Sequence, residues 1–174
     1  MLLIGDIMTS NPYTLRADNS LTDARVLMAQ HKIRHIPIVD EDMQLVGLIT
    51  QRDILAAQTS CLLSLSENRR IEQENEIQLG ELMRTRVLTI DLHAGIRAAA
   101  QILFKHRIGC LPVTEKNKLV GIITDSDFVA VAIHLLELEE DTDPLTHDEL
   151  DDDDNINNLS ADIPQHIRPD NGDD

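Results

Sequence analysis

Aromatic residues are almost missing from this chain of 174 residues. It has no tryptophan, one tyrosine (Tyr13) and two phenylalanines (Phe104 and Phe128). The core must therefore be aliphatic, and a hydrophobic content of 42 % is enough to build one. Proteins that hold single-stranded nucleic acid stack its bases on aromatic side chains. The shortage of aromatics argues against that kind of binding.

Cysteines and long apolar runs are also scarce. Cys61 and Cys110 are the only cysteines and form no Cys-x-x-Cys pair, which is typical of free thiols in a reducing compartment. The apolar run in the N-terminal "MLLIGDIMTS" is too short for a signal peptide. The later run Val129–Leu136 falls far below the ~18–20 apolar residues that span a bilayer. We therefore expect a cytoplasmic protein that does not enter a membrane.

Basic residues are scarce at one end of the chain. Of the 31 acidic side chains 15 lie in residues 137–174, together with a single basic one, Arg168, whereas the remainder is close to neutral. A phosphate backbone would be repelled by this segment, and no basic stripe compensates, so nucleic-acid binding is not expected. Residues 139–174 also hold too few apolar side chains to fold, and we expect a disordered acidic tail.

Motifs of common enzyme classes are absent as well. The sequence has no Gly-x-Ser-x-Gly, no Walker loop and no His-Glu-x-x-His. His31 and His35 have a spacing that suits a metal on one helix face, but Pro37 implies that the helix has ended by about Ile33. We expect neither an enzyme nor a metal site.

The chain does contain a repeat. "VGLITQRDIL" at residues 46–55 returns as "VGIITDSDFV" at residues 120–129, and residues 6–55 align with residues 81–129. The offset is 75 residues before the turn that precedes these motifs and 74 after it. A register kept over so many positions indicates tandem duplication.

Each copy is predicted to be strand–helix–strand–strand–helix. Ser20 and Asp23 are spaced as a capping box for the first helix, and further helices are expected to begin just after Thr50 and Thr124. One copy of ~50 residues buries too little surface to be stable in isolation. We therefore expect an α+β fold of two pseudo-symmetric repeats packed sheet to sheet. The predicted segments are repeat 1 at 1–56, a linker with a helical piece at 57–78, repeat 2 at 79–138 and the tail at 139–174.

The Thr-x-x-Asp that follows the last strand of each copy is the candidate binding motif. A helix that begins there presents free backbone N–H groups, which suit a phosphate, and Thr50 adds a hydroxyl. Asp53 offers two acceptor oxygens, which match the paired hydroxyls of a ribose. The same reasoning applies to Thr124 and Asp127, with Ser126 as an extra hydroxyl. The alternative is that each motif is only a capping box, which duplication would copy too.

The doubled pattern resembles a tandem pair of cystathionine-beta-synthase-type (CBS) domains, or Bateman module. The stretches that carry the resemblance are "DIMT", "VLMAQHKIRHIPIVD" and "LVGLITQRDIL" with their second-copy counterparts, within about residues 4–136. The resemblance implies a stand-alone regulatory module, without a cofactor, that binds AMP, ADP, ATP or a similar ligand in the cleft between its repeats and signals to a partner protein. S-adenosylmethionine and NAD are further candidate ligands, and a homodimer is implied.

The resemblance also implies which residues form the nucleotide sites. Asp53 and Asp127 would hold ribose hydroxyls, and Thr50 and Thr124 would meet phosphate or ribose. The full predicted set is Arg34, His35, Ile36, Pro37, Thr50, Asp53, Cys110, Leu111, Pro112, Thr124, Ser126 and Asp127. In the second copy Gly109 and Cys110 replace Arg34 and His35, leaving Lys105 and Arg107 as the nearest cations. We therefore expect two sites that differ in affinity or in the charge of their ligand.

The main alternative is a pair of repeats that binds no ligand and acts as a dimerisation or interaction scaffold. The apolar helix at residues 127–140 would suit such a role. The sequence leaves open which nucleotide binds, how many sites are occupied, which partner is regulated and what the acidic tail does.

Overall fold

The computed structural model describes residues 2–58 and 67–140. The tail predicted at 139–174 therefore lies outside the described residues, apart from its first two positions. The elements follow in this order: α1 Ile4–Ile7, β1 Thr9–Ser10, α2 Leu21–His31, β2 His35–Val39, β3 Leu45–Thr50, α3 Gln51–Ala57, α4 Glu67–Glu76, α5 Leu79–Leu82, β4 Ile90–Asp91, α6 Ile96–His106, β5 Cys110–Glu115, β6 Lys118–Thr124 and α7 Asp125–Glu140.

Each repeat builds its own small sheet with the same strand order. The sheet of repeat 2 runs β1-β6-β5-β4, with β4 parallel to β5 and the other pairs antiparallel. Repeat 1 pairs β2 with β3, and single bridges at Arg84 and Leu15 extend this hairpin on either side. These bridges occupy the positions of β1 and β4, so the duplication predicted from the sequence is reproduced in the α+β fold.

Local signals in the sequence fix where several helices begin. At the start of α2, Ser20 Oγ accepts from the Asp23 N–H, and Asp23 Oδ2 accepts from the Ser20 N–H at 2.8 Å, which confirms the predicted capping box. Helices α3 and α7 begin directly after Thr50 and Thr124, as predicted. The helical piece expected in the linker is present as α4.

The short helices α1 and α5 are exchanged between the repeats. Ile4 and Gly5 in α1 donate backbone hydrogen bonds to carbonyls of repeat 2, whereas Leu79 and Gly80 in α5 donate to carbonyls of repeat 1. Ile4 is fully buried in the core of repeat 2, and Leu79 is fully buried in the core of repeat 1. Each core is thus completed by a segment from the start of the other repeat.

The glycine of each Gly-hydrophobic-hydrophobic-Thr motif accommodates the exchanged segment. A Cβ added to Gly47 would lie 2.9 Å from Met83 Cγ, and one added to Gly121 would lie 3.1 Å from Met8 Cγ. The group that lies against each glycine is a methionine side chain from the exchanged segment.

A smaller cluster joins the two sheets. Leu48 of β3 packs with Cys110 and Ile122 of β5 and β6, and Val87 covers the cluster. The compact unit formed by the repeats ends at Ala132, within α7. No described helix has the length and apolar character needed to cross a bilayer.

Candidate functional site

A cavity of about 640 Å³ lies where the two repeats meet, and we call it the inter-repeat cavity. Its wall is formed by the residues around the start of β2, the end of β3 and start of α3, the segment 84–88, the end of α6 with the start of β5, and the first residue of α7. Its volume is within the ~300–1,000 Å³ that is usual for small-molecule sites. Four of the predicted residues line it: Arg34, His35, Thr50 and Cys110.

Thr50, which lines this cavity, forms a complete capping box with Asp53, which is not itself a lining residue. Asp53 Oδ2 accepts hydrogen bonds from the Thr50 N–H at 2.9 Å and from the Thr50 hydroxyl at 2.6 Å, and the Asp53 N–H donates to Thr50 Oγ1 at 3.3 Å. The predicted capping box at Thr50 is therefore present. It accounts for only one of the two carboxylate oxygens.

The other oxygen of Asp53 is paired with Arg84. Asp53 Oδ1 accepts from Arg84 Nη2 at 2.9 Å and from Nε at 3.3 Å. Burial by itself raises the pKa of Asp53, but the hydrogen bonds from Thr50 and Arg84 and the charge of Arg84 together lower it below its ordinary value. The carboxylate is therefore ionised at neutral pH and suited to accept hydrogen bonds.

The equivalent motif of repeat 2 has a different neighbour. Asp127 Oδ2 accepts from the Thr124 N–H at 2.6 Å and from its hydroxyl at 3.0 Å, as in repeat 1. The position equivalent to Arg84 is Thr9, and among the described residues Asp127 forms no ion pair. Thr124, Ser126 and Asp127 do not line the inter-repeat cavity. Their proposed ligand contacts stay predictions for a second site.

His35 and Arg34 reach across to repeat 2. The ring of His35 lies against Gly109, where an added Cβ would be 3.2 Å from Nε2. Arg34 Nη2 is 3.6 Å from Asp125 Oδ1, the carboxylate at the start of α7. Burial and the adjacent Arg34 lower the pKa of His35. The negative charges of Asp125 and Asp53 act in the opposite direction, but the net result is a pKa below the ordinary value. The imidazole is consequently neutral at pH 7.

This burial predicts a pH-dependent stability that His35→Gln should remove. Unfolding returns the pKa of His35 towards 6.5, so between the folded and unfolded pKa values the unfolded chain binds more protons. The free energy of unfolding of the wild type should therefore fall as the pH drops from 7.5 to 5.5, and by less in the variant. Urea unfolding at both pH values measures the difference. Identical pH dependence of the two chains would contradict the assignment.

Cys110 lines the cavity as an apolar wall and not as a reactive thiol. It is 4 % exposed, and burial, with the charge of Asp125, raises its pKa to about 12. The thiol is therefore protonated at neutral pH and a poor nucleophile. Cys61 lies outside the described residues.

Four predicted residues lie beneath the wall and not on it. Ile36, Pro37, Leu111 and Pro112 are among the most completely buried side chains, in the interior of β2 and β5. Direct contact between their side chains and a ligand stays a prediction. In this conformation they support the wall that His35 and Cys110 present.

Sequence reasoning missed the arginines of the cavity wall. Arg52, Arg84 and Arg86 all line it, along with the apolar residues Leu48, Val87 and Leu88. A signal was available, because the three arginines correspond to Ser126, Thr9 and Asn11 in the other copy. Charge that is not shared between duplicated halves marks a specialised surface.

The paired histidines do not form a metal site. His31 stacks on Tyr13 with ring centroids 3.8 Å apart, and it ends α2, whereas His35 begins β2. Within residues 2–58 and 67–140, no three His, Cys, Asp or Glu side chains converge as metal ligands would.

Solved structures with the same fold include ligand complexes. A Vibrio cholerae protein assigned to acetoin utilization is 44 % identical, with a TM-score of 0.68 over 83 % of this chain and 99 % of that one. CBSX2, from Arabidopsis thaliana, was solved with AMP and is 27 % identical, with a TM-score of 0.65 over 78 % and 99 % of the two chains. The CBS domain pair of protein MJ0100, solved with 5-methylthioadenosine and S-adenosyl-L-methionine, is 28 % identical, with a TM-score of 0.65 over 78 % and 98 %.

Larger proteins match as well, but only in part. The chain is 34 % identical over 132 residues to an inosine-5'-monophosphate dehydrogenase of Mycobacterium tuberculosis, and that match covers 74 % of this chain and 22 % of the enzyme. The sequence profile of the CBS domain matches residues 4–60 and again 79–134. Together with the repeated sheets and the exchanged helices, these matches show that the chain belongs to the CBS domain family and carries a tandem pair of these domains.

Proposed function

We propose that this protein is a regulatory module that binds an adenosine-containing nucleotide in the inter-repeat cavity and signals the occupied state to a partner protein. One observation carries the proposal: an ionised carboxylate, Asp53, is bound to Thr50 and Arg84, two residues that line a cavity whose wall is both cationic and apolar. A nucleotide offers the matching groups, namely a ribose diol, phosphate and a flat base.

Each part of the ligand has a group to meet. The ribose hydroxyls would donate to Asp53 in place of hydrogen bonds from Arg84, because Thr50 and Arg84 together use the acceptor sites of both carboxylate oxygens. Phosphate would approach Arg34 and the arginines of the wall. The base would lie against Leu48, Val87 or Ile108. The adenosyl ligands held by CBSX2 and the MJ0100 pair support the class of ligand.

The proposed role is regulatory and not catalytic. Asp53 is held by the Thr50 N–H and hydroxyl at a helix start, and the hydrogen bonds from Thr50 and Arg84 lower its pKa below its ordinary value. That arrangement suits the acceptance of hydrogen bonds better than a proton shuttle, which needs a pKa near the working pH.

Thermal unfolding with a ligand panel tests the proposal. The full chain is melted with AMP, ADP, ATP, NAD and S-adenosylmethionine. A ligand at 100 times its dissociation constant adds about 2.7 kcal/mol, which raises the melting temperature of a chain of this size by roughly 5–10 °C. No shift with any of the five ligands would remove the sensor proposal and favour the scaffold.

The scaffold alternative is favoured by one observation. The C-terminal part of α7 exposes the large apolar side chains Ile133, Leu135, Leu136 and Leu138, each about half accessible. An apolar helix surface of this kind is a candidate contact for a second copy of the chain. Light scattering at several protein concentrations would detect a dimer, and a dimer without any ligand-induced shift in melting would identify a scaffold.

A further inference from the structure

The inter-repeat cavity carries far more positive than negative charge. Five arginines line it, Arg34, Arg52, Arg84, Arg86 and Arg107, against a single carboxylate, Asp125. Arg34 approaches that carboxylate at 3.6 Å, and Arg84 is bound to Asp53. Among the described residues the other three arginines have no ion-pair partner. Like charges that share a wall repel one another unless an anion is bound between them.

The excess positive charge is found at only one of the two sets of equivalent positions, so it is not a consequence of the duplication. At the equivalent positions of the other half, Ser126 stands for Arg52, Thr9 for Arg84 and Asn11 for Arg86. The equivalence of these positions is independently supported by the pairing of Thr9 with Ile122 and of Arg84 with Leu48. Three guanidinium groups therefore set this cavity apart from its pseudo-symmetric counterpart.

A single phosphate does not need this many cations. Each guanidinium binds two phosphate oxygens side by side, so one phosphate group is satisfied by one or two arginines. The wall places Arg52 at the start of α3 and Arg86 in the segment after α5, on elements from different repeats. A chain of phosphates offers a separate group to each of these two arginines.

We propose that the inter-repeat cavity selects a ligand with a chain of two or more phosphates, so that a nucleoside triphosphate or diphosphate is preferred to the monophosphate. This selection rests on the proposed function, because it specifies which adenine nucleotide that site takes. Arg52 and Arg86 provide the selectivity, and Asp53 holds the part of the ligand that all adenine nucleotides share.

Titration calorimetry of the full chain with ATP, ADP, AMP and adenosine, in buffer free of divalent cations, measures the selection. We expect ATP to bind at least about 10-fold more tightly than AMP. The advantage should shrink as NaCl is raised, because partly exposed charges are screened. The double variant Arg52→Ser/Arg86→Asn, which installs the residues of the other repeat, should weaken ATP binding by about 10- to 100-fold and AMP binding by less than about 3-fold.

A matched control removes two arginines elsewhere. Arg16 pairs with Glu41 on the surface, Arg97 is exposed on α6, and neither lines the cavity. Arg16→Ser/Arg97→Asn makes the same change in net charge and should leave the preference for ATP unchanged. If it weakens ATP binding as much as the cavity variant does, the selection is a bulk charge effect and the proposal is wrong.

The ligand series separates this inference from the proposed function. If AMP and ATP bind equally and the cavity variant changes neither, the phosphate-chain selection fails and adenine-nucleotide binding stands. If inorganic tripolyphosphate binds as tightly as ATP while adenosine and AMP do not bind, the polyanion site stands and the adenine-sensing function fails. If none of these ligands binds, both are overturned.

Discussion

Asp53→Ala should weaken adenine-nucleotide binding to the full chain by about 10- to 100-fold, because a charged hydrogen bond to the ribose hydroxyls contributes on the order of 1.5–3 kcal/mol. The substitution also frees Arg84, whose guanidinium donates to Asp53 Oδ1 at 2.9 Å. A freed arginine would strengthen phosphate binding but cannot replace an acceptor for the diol. Calorimetry with AMP, which has a single phosphate, gives the cleanest measurement.

The chain offers a matched control for the capping interpretation. Asp23 closes a capping box with Ser20 at the start of α2, as Asp53 does with Thr50, but neither Asp23 nor Ser20 lines the inter-repeat cavity, whereas Thr50 does. Asp23→Ala and Asp53→Ala should each lose about 1 kcal/mol of stability. Only Asp53→Ala should lose affinity for the nucleotide. If both variants lose the same stability and both bind nucleotide as the wild type does, Asp53 only caps α3 and does not bind the ligand.

Asp127→Ala extends the test to the second motif. Its effect should appear as a weakening of about 10- to 100-fold at a separate site near repeat 2, with the inter-repeat cavity unaffected. Within residues 2–58 and 67–140 no arginine pairs with Asp127, which predicts a ligand of lower charge there. If Asp53→Ala and Asp127→Ala both bind nucleotide as the wild type does, the assignment of the two carboxylates is wrong.

Leu79→Ala should lower the free energy of unfolding by about 2–5 kcal/mol, the range for removing a fully buried leucine. Leu79 is 0 % exposed and completes the core of repeat 1, although it is the first residue of repeat 2 in the chain. Ile4→Ala should have a comparable effect through the core of repeat 2. Urea unfolding followed by circular dichroism measures both, with Leu2→Ala as the control, since Leu2 belongs to the same segment as Ile4 but is 44 % exposed.

The exchange also predicts how the two repeats unfold. Because each core contains a helix joined to the other repeat, neither is complete when the other is lost, and we expect one cooperative transition in the wild type and in both variants. Two separated transitions, with Leu79→Ala shifting only one of them, would show that the repeats are stable independently of one another.

Much of the fold was predictable because its signals are local. The capping boxes at Ser20 and Thr50 depend on contacts three residues apart. Because of the duplication, the pattern of each element could also be compared between two copies. The pairing of Ile38 with Leu15 and of Val113 with Ile90 repeats at the offset of 75 residues seen in the sequence. The placement of Arg34, His35, Thr50 and Cys110 around one cavity followed from that regularity.

The exchange of α1 and α5 was not predictable in the same way. An apolar residue such as Ile4 is predicted to be buried, but its sequence pattern does not say in which of two nearly identical cores. That choice depends on contacts between residues far apart in the chain, for example the hydrogen bond from Ile4 to the carbonyl of Ala94.

The two copies, the starts of their helices and the carboxylate after each final strand can all be read from the order of the residues. Which charges meet depends on the folded chain, in which Arg84 pairs with Asp53, and Arg86 lines the same cavity as Arg52. The physical reason is that a charge acts through distance in space, and residues 31 positions apart become neighbours only when the exchanged segment pairs with β3.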